Sequence, residues 1–229
     1  MRVNSLTKRR RVETVSQQVL EHIRDGIFTG RFAAGFRIDQ QSVADELGVS
    51  VIPVRECLRQ LEAEGLVENQ PYRGVYVKSL SLTELRDIYV TRETLEELAA
   101  RLAVERMTPE TLHSLESYIA AMERATEDTD LDALFALNRS FHFTLYSASQ
   151  NSILLELIEG LWDRSTIYRR MFTFMPERAK QALEEHKCIF AACHEGDAQR
   201  AGHATRENVA HTTRAIIARR EQENAAETT

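Results

Sequence analysis

The sequence of 229 residues is poor in the residues that would mark several protein classes. It has three cysteines, Cys57, Cys188 and Cys193, an odd number without Cys-x-x-Cys spacing. That excludes a disulfide framework or a zinc ribbon and fits reduced thiols. Only 4 prolines and 9 glycines break the chain, while Ala, Leu, Glu and Arg abound, so a β-sandwich or barrel is excluded and a mainly helical protein expected. No apolar run approaches the ~18 residues that span a bilayer, and the polar start lacks a signal-peptide core. A cytoplasmic location and no membrane partner are therefore expected. An excess of positive charge is also missing: the formal net charge is −6, which at first speaks against nucleic acid as a partner.

What is present alters that reading. The 43% of apolar residues suffice for a real core in one large or two modest domains. The charge is unevenly distributed: residues 1–78 carry 12 Lys/Arg against 10 Asp/Glu, and residues 79–229 carry 17 against 25. The front is thus slightly basic and the rear strongly acidic. Arg2, Lys8, Arg9, Arg10 and Arg11 precede any acid, so residues 1–13 are expected to form a flexible basic arm, able to lie along phosphates or to remain a solvated tail.

Residues 14–78 read as a compact unit. Val15, Val19, Ile23 and Ile27 recur every four residues and predict a helix that Gly30 helps to end. A short second helix carries Val43, Ala44 and Leu47 and stops at Gly48, where a left-handed residue can close it. Ser50 is placed to cap a third helix with Pro53 in its first turn. Small Ala44, Gly48 at the turn and Val54 beyond it have the spacing of a helix-turn-helix, a pattern that a tight helical hairpin in an ordinary core shares. Val54, Leu58 and Leu61 form the buried stripe of the third helix, leaving Ser50, Arg55, Arg59 and Glu62 toward another face. For Arg59 a solvated pair with Glu56 or Glu62 is the preferred reading. After Gly65, "LVEN" and "VYVK" flank "QPYRG" as two short strands around a turn. A helix-turn-helix followed by such a hairpin is a winged helix: the third helix enters a major groove and the tip, Tyr72, Arg73 and Gly74, reaches backbone or minor groove.

The stretch "GRFAAGFRIDQQSVADELGVSVIPVRECLRQLEAEGLVENQPYRGVYV" resembles the DNA-binding domain of GntR-superfamily transcription regulators, with "PVRE" and "LRQLEAEGLV" as its most specific parts. The resemblance implies that Ser50 touches phosphate, Arg55 a base edge or phosphate, and the Arg73-Gly74 tip a groove. Val51 and Ile52 stand where the family usually has Arg or Lys and Thr, and Gln41 where some members carry another Arg. Apolar contact with thymine methyls could replace a guanine contact there. The DNA-facing set is thus Gln41, Ser50, Val51, Ile52, Arg55, Arg59, Arg73 and Gly74.

Residues 79–82 read as a short linker, because the capping box "SLTE" starts a new helix directly after the wing. Six helices are expected near 82–106, 109–127, 131–148, 152–174, 177–194 and 198–221, an antiparallel bundle over 83–222 with a disordered tail at 223–229. Several polar residues fall on apolar stripes: Arg92 on the first helix, Asn138 and His142 on the third, Ser165 and Tyr168 on the fourth, His186 on the fifth and Asn208 on the last. An inward Arg92 needs an anion, either Glu96 one turn on or a bound ligand. Together these groups suggest a polar pocket more than a self-satisfied network. Asn138 and His142, four residues apart, can reach one point that His186 approaches from another helix, a workable geometry for a first-row metal.

"YVTRETLEELAARLAVERMTPETL", "NRSFHFTLYSASQNSILLELIEGLW" and "HKCIFAACHEGDAQRA" resemble the helical effector-binding (FCD) domain of the FadR branch, in its shorter six-helix, VanR-type form. Metal-binding members use an Asp or Asn, a His four later and two further His. Asn138, His142 and His186 fit the first three positions, while Asn208 stands where the fourth His would fall, and His211 lies one turn on. The resemblance implies either a divalent transition metal such as zinc or nickel on Asn138, His142 and His186, or an organic acid held by Arg92, Asn138, His142, Tyr168, His186 and Asn208. The expected protein is a homodimeric, metabolite-controlled DNA-binding regulator, a repressor, with an operator duplex as partner. The rivals are a metal-dependent enzyme built on Asn138, His142 and His186, and a helical module whose front part binds protein.

Overall fold

The computed structural model describes residues 14–172 and 176–227, and the chain divides into two compact units between Lys78 and Ser79. The expected basic arm, 1–13, lies outside the described residues.

In the first unit, α1 (Val15–Phe28) is capped by Thr14, whose hydroxyl accepts the amide of Gln17 at 3.2 Å. Val19, Ile23 and Ile27 of its stripe are fully buried, whereas Val15 is half exposed. A two-residue strand, β1 (Arg37–Ile38), precedes α2 (Gln40–Leu47), which Asp39 caps through the Ser42 amide. Gly48 ends α2 at φ +66°, a left-handed value that glycine takes without strain from a Cβ, and so turns the chain toward α3 (Val51–Ala63). Val54, Cys57, Leu58 and Leu61 form the buried stripe of α3; its fourth member, Cys57, also sends its thiol to the carbonyl of Ser16 on α1 at 3.1 Å. Fully burying side chains of this size contributes about 1.5–3 kcal/mol each, so the stripe fixes which face of α3 remains outside.

The hairpin pairs β2 (Val67–Gln70) with β3 (Gly74–Val77), but the sheet has three strands where the sequence suggested two. β1 adds to the other side of β3, giving the antiparallel order β1-β3-β2 with Ile38 opposite Val75. The wing is thereby attached to the chain immediately before α2.

The second unit is all-helical among its described residues: α4 (Leu82–Val104), α5 (Pro109–Glu127), α6 (Leu131–Ser147), α7 (Ser152–Phe172), α8 (Pro176–His194) and α9 (Ala198–Glu227). Ser81 and Glu84 form the expected reciprocal capping box, and Thr108 caps α5 with Pro109 in its first turn. α4 packs chiefly on α9, and α5 on α6 and α8, around Leu115, Phe141, Leu145, Trp162 and Ile189. Two segments differ from expectation. Helix α9 continues through 223–227, where a disordered tail was expected. Within the expected linker, Leu80 is buried and its amide donates to the Tyr168 hydroxyl at 2.7 Å, so it is part of this unit's structure.

Candidate functional site

The outward face of α3 and the wing tip form one candidate surface. With Val54, Leu58 and Leu61 turned inward, Ser50, Ile52, Arg55 and Arg59 are exposed, Ile52 at 66%, and Val51 is half-buried. Ser50 occupies the N-cap position, yet its hydroxyl makes no capping bond and is left to meet an external acceptor. Arg55 donates its Nε–H to Oε1 of Gln40 at 3.0 Å. Arg59 makes no ion pair with Glu56 or Glu62 among the described residues, contrary to expectation, while Glu62 accepts the Asn69 amide at 3.1 Å. Gln41 lies on the exposed side of α2 with its amide held by Asp45 at 2.8 Å. A cleft of about 380 Å³ runs between these helices and the sheet, lined by Gln40, Arg55, Leu58, Arg59, Glu62, Asn69 and Val75.

At the wing tip, Tyr72 is fully exposed at φ +64°, Arg73 is exposed, and Gly74 adopts φ +107°, which a side chain would strain. Arg37 of β1 reaches the tip, since a Cβ at Gly74 would lie 3.2 Å from its Nε. Arg37 and Gln40 were not singled out in the sequence. Neither belongs to a buried stripe or a turn, and their place depends on β1 and on the packing of α2 against α3. A groove-sized helix face and a hairpin tip, both carrying guanidinium groups, are suited to phosphates and base edges.

A second constellation lies inside the helical unit. Arg92 and Glu96 on α4 are buried and joined at 2.6 Å. Glu96 also accepts Trp162 Nε1–H from α7 at 2.8 Å and the Tyr146 hydroxyl from α6 at 2.5 Å. Arg92 donates to Ser165 Oγ at 3.2 Å and its guanidinium lies over the rings of Tyr89 and Trp162, 4.8 and 4.7 Å from their centres. Burial is the largest single influence and works against the cation, but the charge and hydrogen bond of Glu96 together with Tyr89 and Tyr146 outweigh it and raise the Arg92 pKa above its usual value. Of the two anions the sequence allowed for Arg92, the structure supplies Glu96. The charge of Arg92 is thus balanced within the protein.

The same network sets the histidine tautomers. Tyr146 has one hydroxyl proton and gives it to Glu96, so the contact from Tyr146 Oη to His142 Nδ1 at 3.0 Å requires the proton on Nδ1. His186 Nδ1 faces the Ala182 carbonyl at 2.5 Å, which can only accept, so Nδ1 carries a proton there too. In the neutral rings Nε2 is left as the lone-pair nitrogen of both. Their ring centres are 4.9 Å apart. Two imidazoles on one metal at about 2.0–2.1 Å would place their centres roughly 5 Å apart, so the separation alone matches a shared ion without showing that the two Nε2 atoms converge. Asn138, one turn before His142, is half-buried.

Asn208 and Tyr168 each have partners within the protein. Asn208 gives its amide nitrogen to Glu185 at 2.7 Å, in a cluster completed by Arg178, His211 and Thr212. His211 thus serves Glu185, 2.7 Å from Nδ1, rather than replacing a fourth histidine. Tyr168 spends its hydroxyl on Leu80. Among the described residues, no group of three or more His, Cys, Asp or Glu is arranged to hold a metal ion. No described helix is long and apolar enough to cross a membrane.

A winged helix followed by an all-helical domain with a polar interior defines a class of two-part proteins in which one part reads DNA and the other senses chemistry. The chain belongs to the bacterial regulatory proteins of the gntR family, whose model matches residues 15–77, and carries an FCD domain over residues 87–211. It is 34% identical over 177 residues to the uncharacterized HTH-type transcriptional regulator YdhC of Bacillus subtilis (strain 168), covering 76% of this chain and 78% of YdhC. It is 28% identical over 185 residues to the HTH-type transcriptional repressor RspR of Escherichia coli (strain K12), covering 81% of each. With the E. coli regulator McbR it shares 28% identity over 196 residues, 85% of this chain and 89% of McbR. The solved structure of McbR superimposes with a TM-score of 0.80 and 27% identity, covering 91% of this chain and 99% of that one. The protein is a DNA-binding transcription regulator and not an enzyme.

Proposed function

We propose that this regulator is a repressor that binds a two-fold operator in the cytoplasm as a homodimer and is released by a small effector bound in the FCD domain. The observation that carries the reading is the outer face of α3, where Ser50, Ile52, Arg55 and Arg59 stand exposed beside the wing tip while the opposite face is fully buried. One such helix reads only a few base pairs, and pairing two of them sets the half-site spacing. Val90 and Leu98 on α4 and Ile153 and Leu157 on α7, all exposed on neighbouring helices, support self-association through the helical domain. The kinship with RspR, a repressor, supports the direction of control.

The effector would be recognised beside His142 and His186, whose buried rings face each other, 4.9 Å apart, from α6 and α8. Because Glu96 balances Arg92, the organic acid expected from the sequence has no unbalanced cation to meet there. A neutral ligand with hydrogen-bond donors, or a divalent ion such as zinc or nickel, suits the two imidazoles better. Asn138 would complete the ion's protein ligands; two nitrogens and one amide oxygen make a weakly held ion. Bound there, the ion would supply a Lewis-acid position for an effector oxygen. Control of DNA binding then requires different affinities of the effector for the DNA-competent and DNA-incompetent states, typically about 1–3 kcal/mol of coupling.

Selection of random-sequence duplexes by the purified protein tests this reading. The expected result is a two-fold sequence with half-sites about one helical turn apart and loss of enrichment in Arg55→Ala. Equal recovery of all sequences would overturn it.

A further inference from the structure

Arg55 is held in a particular way. Its Nε–H is bound by Gln40 Oε1 at 3.0 Å, from the first turn of α2, the helix before the one that carries Arg55. Gln40 is half-buried and lines the cleft with Arg55, so the contact has a fixed base beneath it: Asp39 caps α2, and α2 packs on α3. A guanidinium has five N–H donors in a rigid fork. With Nε occupied, the side-on approach that would use Nε together with one terminal nitrogen is blocked. The two terminal nitrogens remain, end-on, and they match the O6 and N7 acceptors of a guanine in the major groove.

The chemistry of the holder matters as much as its place. A carboxylate at position 40 would orient Arg55 equally well and would cancel its charge. The amide of Gln40 orients without cancelling, so Arg55 keeps its full attraction for DNA. Gln41, the neighbouring glutamine, is not equivalent: its amide nitrogen donates to Asp45, and it is Gln40 that accepts from Arg55.

We propose that Gln40 is the positioning residue for base reading by this protein: it presents Arg55 end-on to a guanine while preserving the arginine's charge. This rests on α3 being the helix that enters the groove. Gln40 adds specificity rather than general affinity, because it contributes no charge of its own.

The test uses the full-length protein and the best duplex from random-sequence selection, with a scrambled duplex of equal length as control. Gln40→Ala is expected to lower affinity for the selected duplex about 3- to 10-fold, the effect of one hydrogen bond, and to leave affinity for the scrambled duplex and the salt slope unchanged. Repeated selection with Gln40→Ala should relax preference at the same base pair that Arg55→Ala relaxes. Gln40→Glu, near in shape, should weaken binding to both duplexes and flatten the salt dependence. Thermal melting of each variant guards against misfolding, and Gln40→Glu keeps the test open if Gln40→Ala melts early. If Arg55→Ala abolishes discrimination while Gln40→Ala retains the wild-type ratio, or loses both affinities equally, the role of Gln40 is refuted. If Arg55→Ala itself discriminates normally, the assignment of α3 as reading helix fails first.

Discussion

Glu96 has no exposed surface and answers three helices at once, to Arg92, Tyr146 and Trp162. Removing its charge leaves a guanidinium buried without its counter-ion. Glu96→Gln is therefore expected to cost about 3–5 kcal/mol, read as a fall in the urea midpoint, whereas adding Arg92→Met to Glu96→Gln should recover part of the loss by removing the unpaired cation while the amide oxygen still accepts from Trp162 or Tyr146. Cys193 is a different kind of buried group: desolvation pushes its thiol up to about 12, so it stays protonated and inert across ordinary pH. Iodoacetamide at pH 8 should label exposed Cys188 in the folded protein and reach Cys57 and Cys193 only after unfolding, as read by peptide mass spectrometry. The sequence made part of this legible. Helical spacing turned Arg92 inward and put Glu96 within reach, but nothing local told that Tyr146, 50 residues away, and Trp162, 66 away, would finish the carboxylate's shell. The same limit hid the partners of Tyr168 and Asn208: periodicity gives the buried side of a helix, and the partner met there is set by packing.

On the proposed reading, helix α3 would carry function through a residue that does not stabilise it. Ser50 begins the helix, yet its hydroxyl makes no capping bond, so Ser50→Ala should spare the melting temperature where an N-cap loss ordinarily costs about 1 kcal/mol. Operator affinity should nonetheless fall several-fold, in a fluorescence-anisotropy titration, as a phosphate contact is lost. Gly48→Ala should behave in the opposite sense. Its left-handed φ of +66° penalises any Cβ, by roughly 1–2 kcal/mol, although the space around it is open. Both helices and the hairpin were readable from caps, glycines and apolar spacing. β1 was not, because two residues, one buried and one exposed, carry too short an alternation to distinguish a strand from a loop. With β1 unseen, Arg37 within it and Gln40 at the start of α2 were also unseen.

Over the whole molecule the charges are divided by task, with the basic excess in the part that carries α3 and the wing and the acidic excess in residues 79–229. The acidic part repels DNA in general, so binding depends on a few guanidinium groups and should fall steeply as salt rises from 50 to 200 mM. Arg73→Ala, at the wing tip, should lower the slope of log affinity against log salt by about one per half-site and weaken all sequences alike, unlike a change in Arg55. The sheet has a further consequence at this scale. β3 is flanked on both sides, by β1 and β2, and on the open side of β2 the Asn69 amide is already taken by Glu62. A neighbouring copy would therefore meet an edge with one amide of β2 occupied and, on the other side, a β1 only two residues long, which offers a poor template for strand addition.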